Sequence, residues 1–329
     1  MIRFSDKQLS ISSLDNLEIK LFVVGYKVKG ESALMLFIDK GKNGKVVYSI
    51  LIDSYENNTL ANPNLSSFIL GKYGVTKVDC IVWTHPHDDH TKGLDNIVDR
   101  FCKYDTRFYL PHYVYTNQRK LQIKLQPSIR KIFNNIKRNA DRSCFHPVSS
   151  TGNIDKAYNI DLIPEDGSSS KHLDLYFLAP IDEVLFDKAM GKGTDDPNKL
   201  SIVMIVSVDD YYFYFGGDTD DDNIAQSRRE IYPYCRWVKI PHHSSDTASL
   251  AQQRFAYNSH FAACTLFSGD NFPYEDILNC YKEKFSHVFL TNSKPSRHAY
   301  GVIEFTYAFC QNSVQANVGV DLYGGAYEY

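Results

Sequence analysis

A dense run of histidine and aspartate residues follows the apolar segment Val78–Trp83. It reads Thr84-His85-Pro86-His87-Asp88-Asp89-His90, which places three imidazoles and two carboxylates within six residues. A strand end holds its backbone rigidly, so side chains of the loop that follows can converge on one point. Imidazole nitrogen and carboxylate oxygen together suit zinc, and also manganese or iron. Because the chain has only 11 histidines in 329 residues, this spacing indicates a metal site.

Two further apolar segments end in residues that can bind a metal. One ends at Asp218, directly after two glycines, and the other, Arg236–Ile240, ends just before His242 and His243. Glycines before the carboxylate would let it approach a crowded centre closely. Each strand end alone is a weak signal, because Gly-Gly-Asp is often a turn and a histidine pair is often structural. Three together indicate sheets whose strands end at a shared edge.

The elements that must position these residues are strands with helices between them. Leu17–Val28, Ala33–Ile38 and Val46–Ile52 are β-rich, and the last ends at Asp53. For Asp53, an ordinary turn carboxylate and a contact to the metal or substrate are both open. Helical spacing of apolar residues recurs between the strands, for example over Pro63–Tyr73.

The domain organisation follows from what the sequence lacks. It shows no internal repeat, no low-complexity linker and no Pro/Ser-rich boundary. We therefore expect a single α/β domain over residues 1–329, with a core at about 17–295 and a β-rich C-terminal extension at 296–329.

The segment from Arg119 to Arg142 carries eight basic residues and one acid. Its apolar residues recur at helical spacing, which predicts a basic amphipathic helix. A solvated helix face and a positive rim that attracts phosphate are both open. In the second case Lys131, Lys137 and Arg138 would bind the substrate.

Composition narrows the class of protein. Apolar residues make up 43% and charged residues 23%, which is typical of a globular protein, and the net charge of -3 gives no global sign of nucleic-acid binding. The seven cysteines are scattered and predict free thiols in a reducing cytoplasm. The N-terminus lacks a signal-peptide pattern, and no run approaches the roughly 18 apolar residues of a membrane helix, so we expect no membrane partner.

Together these motifs resemble the metallo-β-lactamase-fold hydrolases, and among them most closely the competence-protein (ComEC-like) branch. The resemblance rests on His85-x-His87-x-Asp89-His90, Gly217-Asp218 and His242-His243-Ser244-Ser245. It implies an αββα four-layer sandwich with the metal site at one edge of the two sheets. The chain departs from the branch at Lys92, where the branch has glycine, at Ser244, where it also has glycine, and at Lys29-Gly30-Glu31-Ser32, which replaces a Gly-Asp pair.

The resemblance also implies a site for two divalent ions, zinc or alternatively manganese. His85 and His87 would hold one ion, Asp89 and His90 would hold the other, and Asp218 would bridge them. His242 is favoured as the ligand that completes the second ion, and His243 as a substrate or proton-transfer residue. The reverse assignment is also open.

Many members of this superfamily add a third histidine to the first ion, about 20 residues before the bridging aspartate. That position is Asn198 here, which could be a weak ligand, a water-mediated contact or a substrate contact. The other histidines that could serve are His112, His146 and His172.

These inferences predict a dinuclear metal-dependent hydrolase, most readily a phosphodiesterase or nuclease that uses a hydroxide shared by the two ions. Asp89 would orient this nucleophile and His243 would protonate the leaving group. The partner would be a phosphodiester, either nucleic acid or a nucleotide. Two alternatives stay open: a hydrolase of a lactone, thioester or β-lactam, and a metal-poor regulatory or binding protein of the same fold.

Overall fold

The computed structural model describes residues 6–116, 130–132, 134, 145–148, 156–181, 196–267, 274–293, 297–309 and 318–329. The strands in these ranges are β1 Lys7–Ile11, β2 Leu17–Tyr26, β3 Glu31–Asp39, β4 Lys45–Ile52, β5 Cys80–Val82, β6 Arg107–Pro111, β7 Phe145–Val148, β8 Lys156–Pro164, β9 Lys171–Ala179, β10 Val203–Val208, β11 Tyr211–Phe215, β12 Cys235–Lys239, β13 Ser259–Cys264, β14 Phe285–Leu290, β15 Tyr300–Ala308, β16 Gly319–Gly324 and β17 Tyr327–Glu328.

The α-helices of the same ranges are α1 Leu65–Lys72, α2 Asp88–Thr91, α3 Leu94–Phe101, α4 His112–Thr116, α5 Asp221–Gln226, α6 Leu250–Arg254 and α7 Glu275–Lys284. Asn64 caps α1, because its side chain accepts a hydrogen bond from the Ser67 amide at 2.9 Å. Across the described part of the chain, no helix has the length and apolar character needed to cross a membrane.

The strands form two sheets. One has nine strands in the order β1-β8-β9-β10-β11-β12-β13-β14-β17, and the other has eight in the order β16-β15-β2-β3-β4-β5-β6-β7. Strands β11 to β14 are mutually parallel in the first sheet, and β4 to β7 are mutually parallel in the second. Parallel strands bring their carboxyl ends to the same edge of a sheet, which is where metal ligands were expected.

Apolar residues fill three layers. The middle layer lies between the sheets and contains Leu21 from β2 and Phe213 from β11. The outer face of the eight-stranded sheet packs against α1 and α3, and the outer face of the nine-stranded sheet packs against α6 and α7. All nine residues of β3 are buried, as expected of a strand covered on both faces. The α/β sandwich of two sheets with outer helices, predicted from the sequence, is confirmed.

β15 and β16 complete the eight-stranded sheet, whereas β17 pairs with β14 at the edge of the nine-stranded sheet. β15 pairs with β2 on one side and with β16 on the other. Gly301, near the start of β15, lies very close to the backbone of Thr291, which follows β14. A Cβ atom at position 301 would come within 1.5 Å of the Thr291 carbonyl oxygen. This position therefore requires glycine because of a close backbone approach.

We expect Gly301→Ala to lower the free energy of unfolding by about 1–3 kcal/mol, because the backbone must shift to admit the methyl group. The matched control is Gly319→Ala in β16, where the nearest atom to a new Cβ is 3.9 Å away. Its effect should stay within about 0.5 kcal/mol. Urea unfolding of both variants measures the difference, and equal losses would contradict the close contact at Gly301.

Candidate metal centre

The histidine-rich loop leaves β5 and turns back on itself through α2. His85 is fully buried, and its ring centroid lies 4.7 Å from that of His87 and 4.2 Å from that of His90. The single turn of α2 begins directly after His87, which returns Asp89 and His90 to the end of the strand. Three imidazoles separated by up to five positions in sequence therefore meet at one point.

Asp218 reaches this point from the other sheet, directly after β11 and two glycines. Its Oδ2 lies 3.2 Å from His90 Nε2 and 3.8 Å from His85 Nε2. Gly217 has φ +52°, and a Cβ atom there would lie 2.4 Å from the Ser201 hydroxyl oxygen. The glycine expected to let the carboxylate approach a crowded centre therefore serves that purpose, for both conformational and steric reasons.

The histidine pair after β12 adopts a rare backbone conformation. His242, His243 and Ser244 have φ values of +46°, +50° and +61°, so three consecutive side-chain-bearing residues lie in the left-handed region. Such residues cost of order 1–3 kcal/mol each and cluster at functional sites. Glycine adopts this conformation without strain, so keeping side chains at these three positions has a cost in stability.

The turn separates the two histidines. His243 is buried, with Nε2 3.6 Å from Asp89 Oδ2 and 3.8 Å from Asp218 Oδ2. His242 is half-buried, and its Nε2 lies 3.2 Å from the Asn198 side-chain nitrogen, while its Nδ1 lies 2.9 Å from the Thr247 hydroxyl. The structure therefore places His243 among the carboxylates and His242 beside Asn198.

Two groups of ligand atoms share Asp218. His85, His87 and Asp218 form one group, and Glu31, His90, Asp218 and His243 form the other, with the ligand atoms of each group within 4.8 Å of one another. Asp89 belongs with the second group, because its Oδ2 lies 3.8 Å from His90 Nε2.

Glu31 does not face the same space as the other ligands. Its carboxylate lies 3.8 Å from Nδ1 of His90 and 3.5 Å from Nδ1 of His243, whereas Asp218 is approached by the Nε2 atoms. Glu31 therefore lies behind the two rings rather than among the groups that would hold an ion.

Asp53 fixes the orientation of two of the histidines. Its carboxylate accepts hydrogen bonds from the Thr84 amide at 2.7 Å and the Thr84 hydroxyl at 2.6 Å, and lies 2.7 Å from His90 Nδ1. Because the Thr84 proton is given to Asp53, the Thr84 oxygen is left to accept from His85 Nδ1 at 3.0 Å. These partners place a ring proton on Nδ1 in both histidines, so Nε2 is the atom of each ring that faces Asp218 and could bind an ion.

The residues fit a divalent metal ion. The Nε2 atom of His85 and the Oδ1 atom of Asp218 are buried and have no hydrogen-bond partner among the described residues. Buried polar atoms are normally paired, and atoms left without a partner call for an explanation such as an ion. Imidazole nitrogens and carboxylate oxygens converging on one space are the donor set that such an ion requires.

Electrostatics in the cluster act in opposite directions on its histidines. Burial lowers the pKa of His85 well below its ordinary value and also lowers the pKa of His87, so both rings are neutral ligands. Burial alone would raise the pKa of Asp218, but the adjacent His90 and His243 hold it well below its usual range. Burial would lower the pKa of His90, but Asp218, Asp53 and Glu31 raise it well above its usual value. A metal ion must therefore displace a proton from His90.

The other residues singled out in the sequence either belong to neither group of ligand atoms or lie outside the described residues. Lys131 is 69% exposed and forms an ion pair with Asp95 at 3.2 Å. Lys137 and Arg138 lie outside the described residues, as does most of the expected basic helix. His112, His146 and His172 belong to neither group of ligand atoms found among the described residues.

Four residues that surround the ligands were not predicted as contributors to the site, namely Glu31, Thr84, Lys239 and Thr265. Lys239 offered a readable signal, because a lysine stands inside the apolar run Trp237-Val238-Lys239-Ile240. A charged residue in a buried strand needs a buried partner. Glu31, the first residue of β3, is an acidic residue that could pair with Lys239, although nothing in the sequence shows that these two side chains lie together.

Comparison with known proteins gives distant structural likeness only. No protein family matches the sequence, and no curated protein matches it. Among solved structures, a diphosphatase of the PhnP family is 12% identical, with 89% of this chain and 99% of that chain covered at a TM-score of 0.40. The metallo-β-lactamase-fold protein YhfI from Bacillus subtilis is 13% identical, with 88% and 99% covered at 0.39. A metallo-β-lactamase from Hirschia baltica is 16% identical, with 61% and 70% covered at 0.31.

TM-scores below 0.5 are too low to assign an activity, so the functional interpretation depends on the residues of the site. None of these matches distinguishes the competence-protein branch, which stays a prediction.

We expect Asp53→Asn to weaken metal binding by about 10–100-fold, because an amide cannot accept all three hydrogen bonds that orient Thr84 and His90. The matched control is Asp79→Asn, since Asp79 accepts from the Ser49 amide at 3.1 Å near the start of β5, away from the ligands. Titration of zinc against a competing chelator measures both. Equal affinity in Asp53→Asn and the unaltered protein would contradict the orienting role.

Proposed function

We propose that the chain is a dinuclear metal-dependent hydrolase of the metallo-β-lactamase fold, close to the competence-protein branch, and that it cleaves phosphodiesters. The observation that carries the proposal is the pair of ligand groups that share the buried carboxylate of Asp218. A single structural ion needs only one such group. Two adjacent groups with a common carboxylate are what a two-metal hydrolytic centre requires.

Two divalent ions bound there would supply a water of near-neutral pKa and would balance negative charge on the reacting group. Within this proposal His85, His87 and Asp218 hold the first ion, and His90, His243, Asp89 and Asp218 hold the second. This arrangement adopts the alternative in which His243 is the ligand. This assignment is supported by the position of His243 Nε2, which lies 3.6 Å from Asp89 Oδ2 and 3.8 Å from Asp218 Oδ2.

Asp89 is proposed to orient the attacking water as well as to hold an ion. Its carboxylate is buried at the start of α2, and the neighbouring His243 and His90 keep its pKa low although burial opposes this. An ionised carboxylate beside the reacting centre can accept a hydrogen bond from water and direct its lone pair toward the substrate.

His242 and Asn198 are proposed to face the substrate. His242 is half-buried at the margin of the cluster, so a substrate could reach it. The Asn198 side-chain nitrogen lies 3.2 Å from His242 Nε2, and within the described part of the chain the buried Asn198 Oδ1 atom has no hydrogen-bond partner. We assign proton transfer to the leaving group to His242 and a positioning contact to Asn198.

Phosphodiesters are the proposed substrates because their hard, charged oxygens suit paired dications. The basic segment from Arg119 to Arg142 would add positive charge for a polyanion such as nucleic acid or for a nucleotide. In this proposal Lys131, Lys137 and Arg138 contribute to substrate binding.

We expect zinc- or manganese-reconstituted protein to hydrolyse bis-p-nitrophenyl phosphate faster than a simple lactone. Asp89→Ala should lower the rate by at least about 100-fold, because it removes a group that orients water. The matched control is Asp88→Ala, one residue away, whose carboxylate is half-buried and pairs with Lys29 at 3.0 Å. Its rate should stay close to that of the unaltered protein.

The same assay separates the alternatives. Lactone hydrolysis without phosphodiester hydrolysis would replace the proposed substrate class with a carbonyl bond. Protein that retains no zinc or manganese after reconstitution and dialysis would instead be a metal-poor binding or regulatory protein.

A further inference from the structure

A buried ion pair lies directly behind His243. Lys239, the last residue of β12, is only 4% exposed, and its Nζ lies 2.9 Å from Glu31 Oε2 and 3.1 Å from the Ile240 carbonyl oxygen. Glu31 is also 4% exposed. Taking two charges out of water costs several kcal/mol per ion unless each has good partners. Because such a pair contributes little to stability, its position next to the proposed metal site suggests a role in that site.

Thr265 connects this ion pair to the histidine. It follows β13, and its hydroxyl donates a hydrogen bond to Glu31 Oε2. The Thr265 hydroxyl oxygen lies 3.0 Å from His243 Nδ1, and the Thr265 carbonyl oxygen lies 3.2 Å from the same nitrogen. A carbonyl oxygen can only accept, and a hydroxyl that has given its proton to Glu31 can only accept as well.

The direction of these hydrogen bonds determines the protonation of the ring. Because both Thr265 oxygens accept, His243 Nδ1 must carry a ring proton, and Nε2, which faces Asp89 and Asp218, is the atom left to bind an ion. The arrangement repeats the one on the opposite sheet, where Asp53 holds the proton of the Thr84 hydroxyl and Thr84 accepts from His85.

We propose that Glu31 and Lys239 are positioning residues that act through the Thr265 hydroxyl to fix the tautomer and orientation of His243 as a ligand of the second ion. The inference rests on the proposed dinuclear centre and assigns a role to residues that are not among its ligands. Lys239 keeps Glu31 an acceptor, and Glu31 keeps the Thr265 proton away from His243. The second position is thereby prepared before an ion arrives.

The test compares Thr265→Val, which removes the hydroxyl at nearly constant volume, with Thr265→Ser, which keeps it. The unaltered protein should bind two zinc ions per chain, measured by elemental analysis after equilibration against a zinc–chelator buffer. Thr265→Val should retain one ion and bind the second about 10–100-fold more weakly, while Thr265→Ser should resemble the unaltered protein. The matched control is Thr106→Val, a fully buried threonine whose hydroxyl donates to the Val78 carbonyl oxygen at 2.7 Å. It should bind two ions normally.

A second variant keeps the test decisive if Thr265→Val does not fold. Glu31→Leu combined with Lys239→Met removes both charges together with the acceptor of the Thr265 proton, so no buried charge is left alone. This double variant should also lose the second ion selectively.

The outcomes distinguish the two proposals. An unaltered protein that binds two ions, with Thr265→Val binding both at full affinity, would overturn the positioning role and leave the dinuclear centre standing. Equal weakening in the valine and serine variants would also overturn it, because the hydroxyl would then not matter. An unaltered protein that binds no zinc would overturn the proposed function and this inference together.

Discussion

The buried carboxylate of Asp218, lying between imidazoles of both sheets, is the interaction on which the site depends. Asp218 comes from the nine-stranded sheet, whereas His85 and His90 come from the eight-stranded sheet, so the ligands meet only when the two sheets are packed together. A carboxylate removed from water is costly unless it is paired and hydrogen-bonded. The amide of Asp218 donates to the Ser201 hydroxyl at 3.1 Å, and the histidines supply the opposing charge or, with a metal, the shared ligands.

The ligands are held from behind by two carboxylates that do not face the ion space. Asp53 orients His85 and His90 through Thr84 and a direct contact, and Glu31 is placed to do the same for His243 through Thr265. Both carboxylates lie at the sheet edge where the parallel strands end. The strained backbone of His242–Ser244 then turns one histidine inward and leaves its neighbour at the margin. A site built this way has its ligand directions set by the fold rather than by the metal.

Much of this centre could be predicted from the sequence, because its ligands follow apolar strands directly. His85, His87, Asp89, His90 and Asp218 were selected in this way, and the structure brings them together. The sequence favoured His242 over His243 as the ligand, whereas the proposal adopts His243, since adjacent residues differ only in how a left-handed turn directs them. The pairing of Glu31 with Lys239 spans 208 positions and depends on how the two sheets pack. Single-sequence patterns carry no such information. Lys137 and Arg138, which were expected to bind the substrate, lie outside the described residues, so their role stays a prediction.

The most direct test of the dinuclear centre is anomalous X-ray diffraction at the zinc edge from crystals of zinc-reconstituted protein. The account predicts two anomalous peaks about 3.5–4 Å apart. One should be bound by His85, His87 and Asp218, and the other by His90, His243, Asp89 and Asp218. A single peak, or a peak bound by His242 and Asn198 in place of His243, would contradict it.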